Sequence, residues 1–197
     1  MTLEDIYNHY LNTPSDINEH LPVLKKYAEQ SESITEMGVR WIVSTYAFLM
    51  GFPSKLTSID IQHPSTWDAN ITLVEEIAGS QNCEFKFILG NTLEIEIEET
   101  DLLFLDTWHA YKQLKGELAL HAGKVKKFIV LHDTTTYGHK DESSYESWGA
   151  DWKAEDKGIW PAVEEFLEQN PEWSLAEKFE NNNGLTILKR SYGTGNL

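Results

Sequence analysis

The hydrophobic positions of this chain fall into blocks that switch between a helical and an extended period. Leu3, Ile6, Tyr7 and Tyr10 give a weak helical face over 3–10, broken by the polar stretch around Pro14. Asp16 with Glu19 three residues on reads as a capping-box helix start, and Leu21, Leu24, Tyr27 and Ala28 supply that helix's apolar face up to 31–33. ITEMG at 34–38 predicts a short strand running into a turn, and the largely apolar 39–50 a buried helix closed by Gly51 and Pro53. LTSIDI at 56–61 predicts a second strand, 65–79 a helix with Ile71, Val74, Ile77 and Ala78 on one face, and 84–89 a third strand leaving through Gly90 and Asn91. The acidic stretch 94–100 reads as an exposed loop or short helix.

The stretch that organises the rest is DLLFLDTWHAY at 101–111. Its unbroken apolar run, 102–105, is short and bounded by polar residues, which fits a strand buried on both faces in the middle of a parallel sheet. Asp106 then falls at the strand's carboxyl end, the edge where open α/β sheets bind ligands. A helix follows over 109–122, stopped by Gly123. The pattern recurs in FIVLHDTT, where the run 128–131 ends in His132 and Asp133. Residues 134–158 carry aromatics but little apolar period, and a loop of that length in a compact domain is a candidate lid. A helix over 160–168 precedes two strands, 173–179 and 185–189, joined by the turn at 181–184. Strand and helix alternate five times before this hairpin, and residues 191–197 read as a frayed tail. The expected fold is α/β: a doubly wound, mostly parallel seven-stranded sheet with a C-terminal antiparallel hairpin and helices on both faces, in one domain spanning 1–197.

Charge narrows the partners. Acidic residues outnumber basic ones 32 to 16, for a formal charge of −16. Such a surface repels phosphate backbones and is not drawn to anionic membranes, so neither nucleic acid nor membrane is an expected partner. A single cysteine, Cys83, excludes an intrachain disulfide framework and a CxxC zinc pattern. The acidic start, MTLEDIYNHY, does not read as a signal peptide, and no apolar run approaches the ~20 residues of a membrane span, so a cytoplasmic location is expected.

The chemistry gathers on one predicted rim. Glu36 and Gly38 end the first strand, Asp60 the second and Asp106 the fourth. A glycine at the first turn lets the chain bend tightly and a ligand approach, and an acid after the second strand commonly accepts ribose hydroxyls. Together they describe a nucleoside-binding crevice between strands one and four. The turn lacks a full GxGxxG: Gly38 is followed by Val39, Arg40, Trp41 and Ile42. A dinucleotide pyrophosphate needs several glycines, whereas S-adenosylmethionine has no pyrophosphate, so the pattern favours that cofactor over NAD.

On these residues the chain resembles the class I S-adenosylmethionine-dependent methyltransferases, Rossmann-like enzymes, over nearly its whole length. Within the class it is similar to the catechol-type and the metal-dependent sugar and macrolide O-methyltransferases. FLDTWHAY looks like the catechol enzymes' strand-four segment, with Asp106 and Trp108 matching and His109 where those enzymes have a catalytic lysine. The resemblance implies that Glu36, Gly38, Ser44, Asp60, Gly90, Asn91 and Asp106 bind the cofactor. It also implies a divalent site, Mg²⁺ or another metal, at Asp106, His132 and Asp133, with Thr134 where relatives carry a ligand asparagine. His132 and Thr134 depart from the oxygen-rich set that Mg²⁺ prefers.

The expected activity is O-methylation of a small-molecule or sugar hydroxyl. His109 is the expected base, since an imidazole titrates near neutrality without tuning, and Asp106 is its catalytic neighbour. Trp108, Tyr137, Trp148 and Trp152 are candidate acceptor contacts; each aromatic could equally pin the long loop to the body. A non-catalytic nucleoside-binding protein on the same fold is the competing expectation, and a homo-oligomer is left open.

Overall fold

The structure is a computed structural model and describes residues 2–148 and 152–191, without the side chain of Trp148. Among the described residues, seven strands form one sheet in the order β3-β2-β1-β4-β5-β7-β6. They are β1 (Ser33–Met37), β2 (Lys55–Asp60), β3 (Glu84–Leu89), β4 (Thr100–Leu105), β5 (Val125–His132), β6 (Trp173–Phe179) and β7 (Leu185–Arg190). The first five pair in parallel; β7 inserts antiparallel between β5 and β6. The central strand β4 is buried at every position, TDLLFL, as its unbroken apolar run requires. The outer strand β6 instead places Glu177 and Lys178 at its edge, which discourages pairing with another sheet.

Helices cover both faces. On one lie α1 (Leu3–Asn12), α2 (Leu21–Ala28), α3 (Val43–Leu49) and α4 (Ile71–Ser80), packed on Ile34, Leu56, Leu102, Phe104 and Val130. On the other lie α5 (Tyr111–His121) and α6 (Trp160–Gln169), packed on Met37, Ile59, Leu103, Leu105 and Ile129. The alternation of Leu102 and Phe104 against Leu103 and Leu105 is the two-residue period of a strand serving two cores. Removing such a fully buried side chain costs about 2–5 kcal/mol. Successive strands are added outward in opposite directions from the β1–β4 pair, β2 and β3 on one side and β5 on the other, so the crevice above that pair is the switch point of the sheet.

Three expected helix starts move. The one expected at 65 falls at Ile71, because Pro64–Trp67 closes as a 3-10 turn ending in left-handed Asp68 and Asn70 caps the helix by accepting from the Leu73 amide. The 39–50 helix begins only at Val43, because residues 39–42 are drawn into a turn by Asp60. The Asp16–Glu19 capping box does not form: Asn18–His20 is a 3-10 turn, Asp16 ion-pairs with Arg40, and α2 begins at Leu21. The capping box that does form is Thr2 with Asp5, at α1. No described helix is long and apolar enough to cross a membrane.

Candidate active site

The first turn carries the geometry of a glycine-rich loop with most of the glycines replaced. Gly38 has φ +86°, and a Cβ there would stand 1.9 Å from the Asp106 carbonyl oxygen. Only glycine lets β1 exit this close to β4. Arg40 and Ile42 also have positive φ, 42° and 58°. For the β-branched Ile42 this is an outlier that the surroundings must enforce. Asp60 fixes the start of this turn, its Oδ2 accepting from the amides of Val39 (2.7 Å) and Arg40 (3.1 Å) while Oδ1 accepts from Gln62 (2.8 Å), and the Ile42 amide closes the turn on the Val39 carbonyl (2.8 Å). A carboxylate on β2 thus supplies the constraint that extra glycines would have made unnecessary.

Glu36 lies beneath this turn, fully buried. It accepts hydrogen bonds from Ser44 Oγ (2.5 Å), Thr45 Oγ1 (2.8 Å) and Ser58 Oγ (2.6 Å). Burial pushes its pKa up to about 7, against the pull of the three hydroxyls. These bonds tie β1, β2 and the start of α3 together. Glu36 does not line the cleft, so the structure gives it a bracing position rather than the direct cofactor contact the resemblance implies.

The cleft above β1 and β4 is lined by Gly38, Ser44, Asp60, Gly90, Asn91 and Asp106. The remaining expected cofactor residues therefore converge although they are spread over four strand ends. The Asn91 side chain is committed to its own turn, accepting from Leu93 and donating to Glu94, so the turn offers the cleft mainly backbone. The Ser44 hydroxyl is directed at Glu36. Arg40, Thr92, Thr107 and Gln113 also line the cleft and were not singled out from the sequence. Thr92 is near the expected turn, but nothing in the pattern of α5 distinguishes Gln113 from a surface glutamine.

Where β4 and β5 end, charge dominates. His109 Nε2 lies 3.1 Å from Asp106 Oδ1 and 3.0 Å from Asp133 Oδ2, and its Nδ1 lies 2.9 Å from Glu142 Oε2. His132 Nδ1 meets the same two aspartates at 3.2 and 3.4 Å. Burial alone would lower the pKa of His109, but Asp106, Asp133 and Glu142 outweigh it and raise the ring well above the ordinary imidazole value. His132, also buried, is raised to about 10 by Asp106 and Asp133. Burial disfavours charge on Asp106 and Asp133 too, yet the two imidazoles hold both carboxyls below their usual range. Both ring nitrogens of His109 thus face carboxylates, which favour the protonated ring, so its titration is set by these neighbours rather than left untuned.

Ligand atoms of Asp106, His109 and Asp133 lie within 4.8 Å of one another, a compact group that could hold a metal ion. His132 touches both aspartates but lies outside that group, and among the described residues its buried Nε2 has no hydrogen-bond partner. Thr134 is turned away: its hydroxyl accepts from Thr186 on β7. Two carboxylates and an imidazole make a mixed oxygen–nitrogen set, which suits borderline transition ions better than Mg²⁺.

The long loop is knitted to this end of the sheet. Buried Asp141 accepts from the amides of Tyr111, Glu155 and Gly158, capping α5 and closing the loop on itself. Trp108 Nε1 donates to the Glu142 carbonyl, and Tyr137 stacks on His109 with ring centroids 4.9 Å apart. Of the acceptor candidates, Trp108 and Trp152 line the cleft beside Tyr145; Tyr137 does not, and the side chain of Trp148 lies outside the described residues. Asp141 and Glu142 were missed because isolated acids in an aperiodic stretch carry no sequence signal.

This sheet order, terminal hairpin and cleft over the switch point define the class I methyltransferase fold, whose members draw on S-adenosylmethionine. The sequence pattern of the rhamnosyl O-methyltransferase/CmcI family matches residues 34–194, and the chain belongs to that family: it is an S-adenosylmethionine-dependent O-methyltransferase. Solved structures share the fold at low identity. An O-methyltransferase from Bacillus cereus, in complex with S-adenosylhomocysteine, is 14% identical with TM-score 0.59, over 96% of this chain and 90% of that one. The S-adenosylhomocysteine-bound methyltransferase PaMTH1 of Podospora anserina is 16% identical with TM-score 0.60, over 96% and 88%. TomG of Streptomyces achromogenes, an O-methyltransferase of tomaymycin synthesis in complex with S-adenosylmethionine, is 15% identical with TM-score 0.57, over 91% and 82%. No curated protein matches the chain.

Proposed function

We propose that this enzyme methylates a hydroxyl of a small molecule or sugar, with the cofactor held by Gly38, Ser44, Asp60, Gly90, Asn91 and Asp106. The observation that carries this reading is the convergence of those residues on one cleft. The residues fit the group: Gly38 lets the β1 turn pass directly against the Asp106 backbone beneath the cleft, Asp60 retains part of its acceptor capacity toward a ribose, and Asp106 offers a carboxylate at the cleft wall. Bound there, S-adenosylmethionine supplies an electrophilic methyl group for in-line displacement by the acceptor oxygen. The chain's own contribution is alignment of the two reactants and a preorganised field where charge changes during the reaction.

His109 and Asp106 are the catalytic pair in this reading. His109 is set between Asp106, Asp133 and Glu142: in its neutral form it takes the acceptor's proton as the new O–C bond forms and the S–C bond breaks, and as an imidazolium it instead stabilises the acceptor oxygen while the proton passes to the carboxylate of Asp106 or Asp133. Trp108, Trp152 and, behind His109, Tyr137 form the acceptor side. Asp106 and Asp133, with His109 or His132, would hold a divalent ion; that ion would lower the pKa of a bound hydroxyl and would compete with the imidazoles for the same carboxylate oxygens. The chain acts in the cytoplasm, without nucleic acid or membrane as partner.

The test is turnover with candidate acceptors against pH and divalent ion. A base role for His109 requires activity that rises only as pH passes its elevated pKa, whereas a cation role gives activity that is lost there. Unchanged turnover in His109→Ala would remove both.

A further inference from the structure

We propose that Gln113, held by the buried Glu117, reads the exocyclic amine of the cofactor's base and makes the enzyme selective for an adenosyl group; this rests on the proposed cofactor reading. Glu117 is completely buried on α5. It accepts from Thr92 Oγ1 at 2.6 Å, Gln113 Nε2 at 2.8 Å, and Thr107 Oγ1 at 2.9 and 3.0 Å to its two oxygens. Gln113 Nε2 donates also to Thr92 Oγ1, at 3.1 Å. Thr92, Thr107 and Gln113 come from three segments, and all three line the cleft on the side of Gly90 and Asn91.

Burial raises the pKa of Glu117 against the pull of its hydrogen bonds from Thr92, Gln113 and Thr107; with four such bonds all directed at its two oxygens, it is placed as a carboxylate, which only accepts. By drawing one donor from each of the three neighbours, Glu117 decides what those neighbours show on their other side. The two hydroxyls spend their hydrogens inward and keep lone pairs. The Gln113 amide cannot flip without setting its oxygen against the carboxylate, so its Oε1 is the end left over. Among the described residues Oε1 has no hydrogen-bond partner, yet it is not sealed away as a buried unsatisfied atom. Gln113 is otherwise buried, so the part that stays open is the part that faces the cleft. This wall therefore presents acceptors, and it matches a ligand edge that donates. Of the parts of an adenosyl cofactor, the base's amino group is the neutral donor that reaches furthest from Asp60. A keto group in its place would set oxygen against oxygen, and a site built for a polar group rejects the analogue that lacks it more strongly than an apolar pocket rejects a misfit.

Calorimetry on the full chain with S-adenosylhomocysteine, its inosyl analogue and its N6,N6-dimethyl analogue tests this. Wild type is expected to bind the adenosyl compound at least about tenfold tighter than either analogue. Gln113→Met, which keeps the shape and loses the amide, should weaken the adenosyl compound about tenfold and the inosyl analogue less than about twofold, collapsing the ratio. Glu117→Gln should also lower the ratio, because it frees the Gln113 amide to turn; a purely structural role would weaken all three compounds alike. Equal wild-type affinity for the three compounds overturns the inference whether or not the variants fold, as does an unchanged ratio in Gln113→Met. No binding of any of them to wild type instead overturns the cofactor reading, and this inference with it.

Discussion

The two halves of the cleft satisfy their acids in different ways. Over β1–β3, Glu36 is held by three hydroxyls and Asp60 by three backbone amides, all neutral donors. Over β4–β5, Asp106 and Asp133 are held by two imidazoles, and Glu142 caps the far side of one of them. The first half is a shape. Its donors cannot be exchanged for an ion, and its strained turn persists because the hydrogen bonds around it over-determine it. The second half is a charge balance, in which a proton or a metal ion can serve the same carboxylates. Binding should therefore depend on the geometry of the first half, and turnover on the charge of the second.

The largest break in that division should come from Gly38→Ala. Its Cβ would overlap the Asp106 carbonyl at a φ that alanine resists, so we expect a loss of about 3 kcal/mol or more in stability and loss of cofactor binding, read by thermal unfolding and calorimetry. Next, Asp133→Ala removes one partner from two buried imidazoles and should cost about 3 kcal/mol in stability while lowering turnover about a hundredfold or more; cofactor affinity within about threefold of wild type would confirm that the halves are separable.

Glu36 gives the pH dependence. Its folded pKa, about 7, lies above its ordinary carboxyl value of 4.5, so the folded state binds the extra proton. The contribution to stability is fully present below the ordinary value and is lost as pH rises through about 7, amounting to about 3 kcal/mol at most. Melting temperatures of wild type and Glu36→Gln should therefore diverge between pH 5 and 8, roughly the interval of that titration, with wild type losing more. Parallel curves would mean that the hydroxyls keep Glu36 ionised throughout. The smallest effect expected is from Ile42→Gly. It relieves a positive φ but frees the unfolded chain, so stability should change by less than about 1 kcal/mol, with cofactor affinity retained.

Much of the first half could be read from the sequence, because shape follows from pattern. Apolar runs ending in Asp60 and Asp106 placed two strand ends, and Gly38 marked the turn. The helix start at Val43 was misread because apolar periodicity through 39–42 says nothing of Asp60, distant in sequence, pulling those amides into a turn. Legibility fails in the second half for a related reason. His109 was recognisable as chemistry, but its protonation depends on Glu142, some thirty residues away in a stretch without period. The same holds for Asp141 and Gln113: each matters through partners that only the folded chain assembles. A sequence exposes which groups stand at strand ends more readily than the charges those groups carry.

The most direct measurement is calorimetric titration of the full chain with S-adenosylhomocysteine, beside Asp60→Ala. The expected result is saturable one-to-one binding that weakens about tenfold or more when the turn loses the carboxylate that shapes it. Absence of binding to wild type, or equal binding by the variant, would contradict the assignment of this cleft to an adenosyl cofactor gripped by the β1 turn.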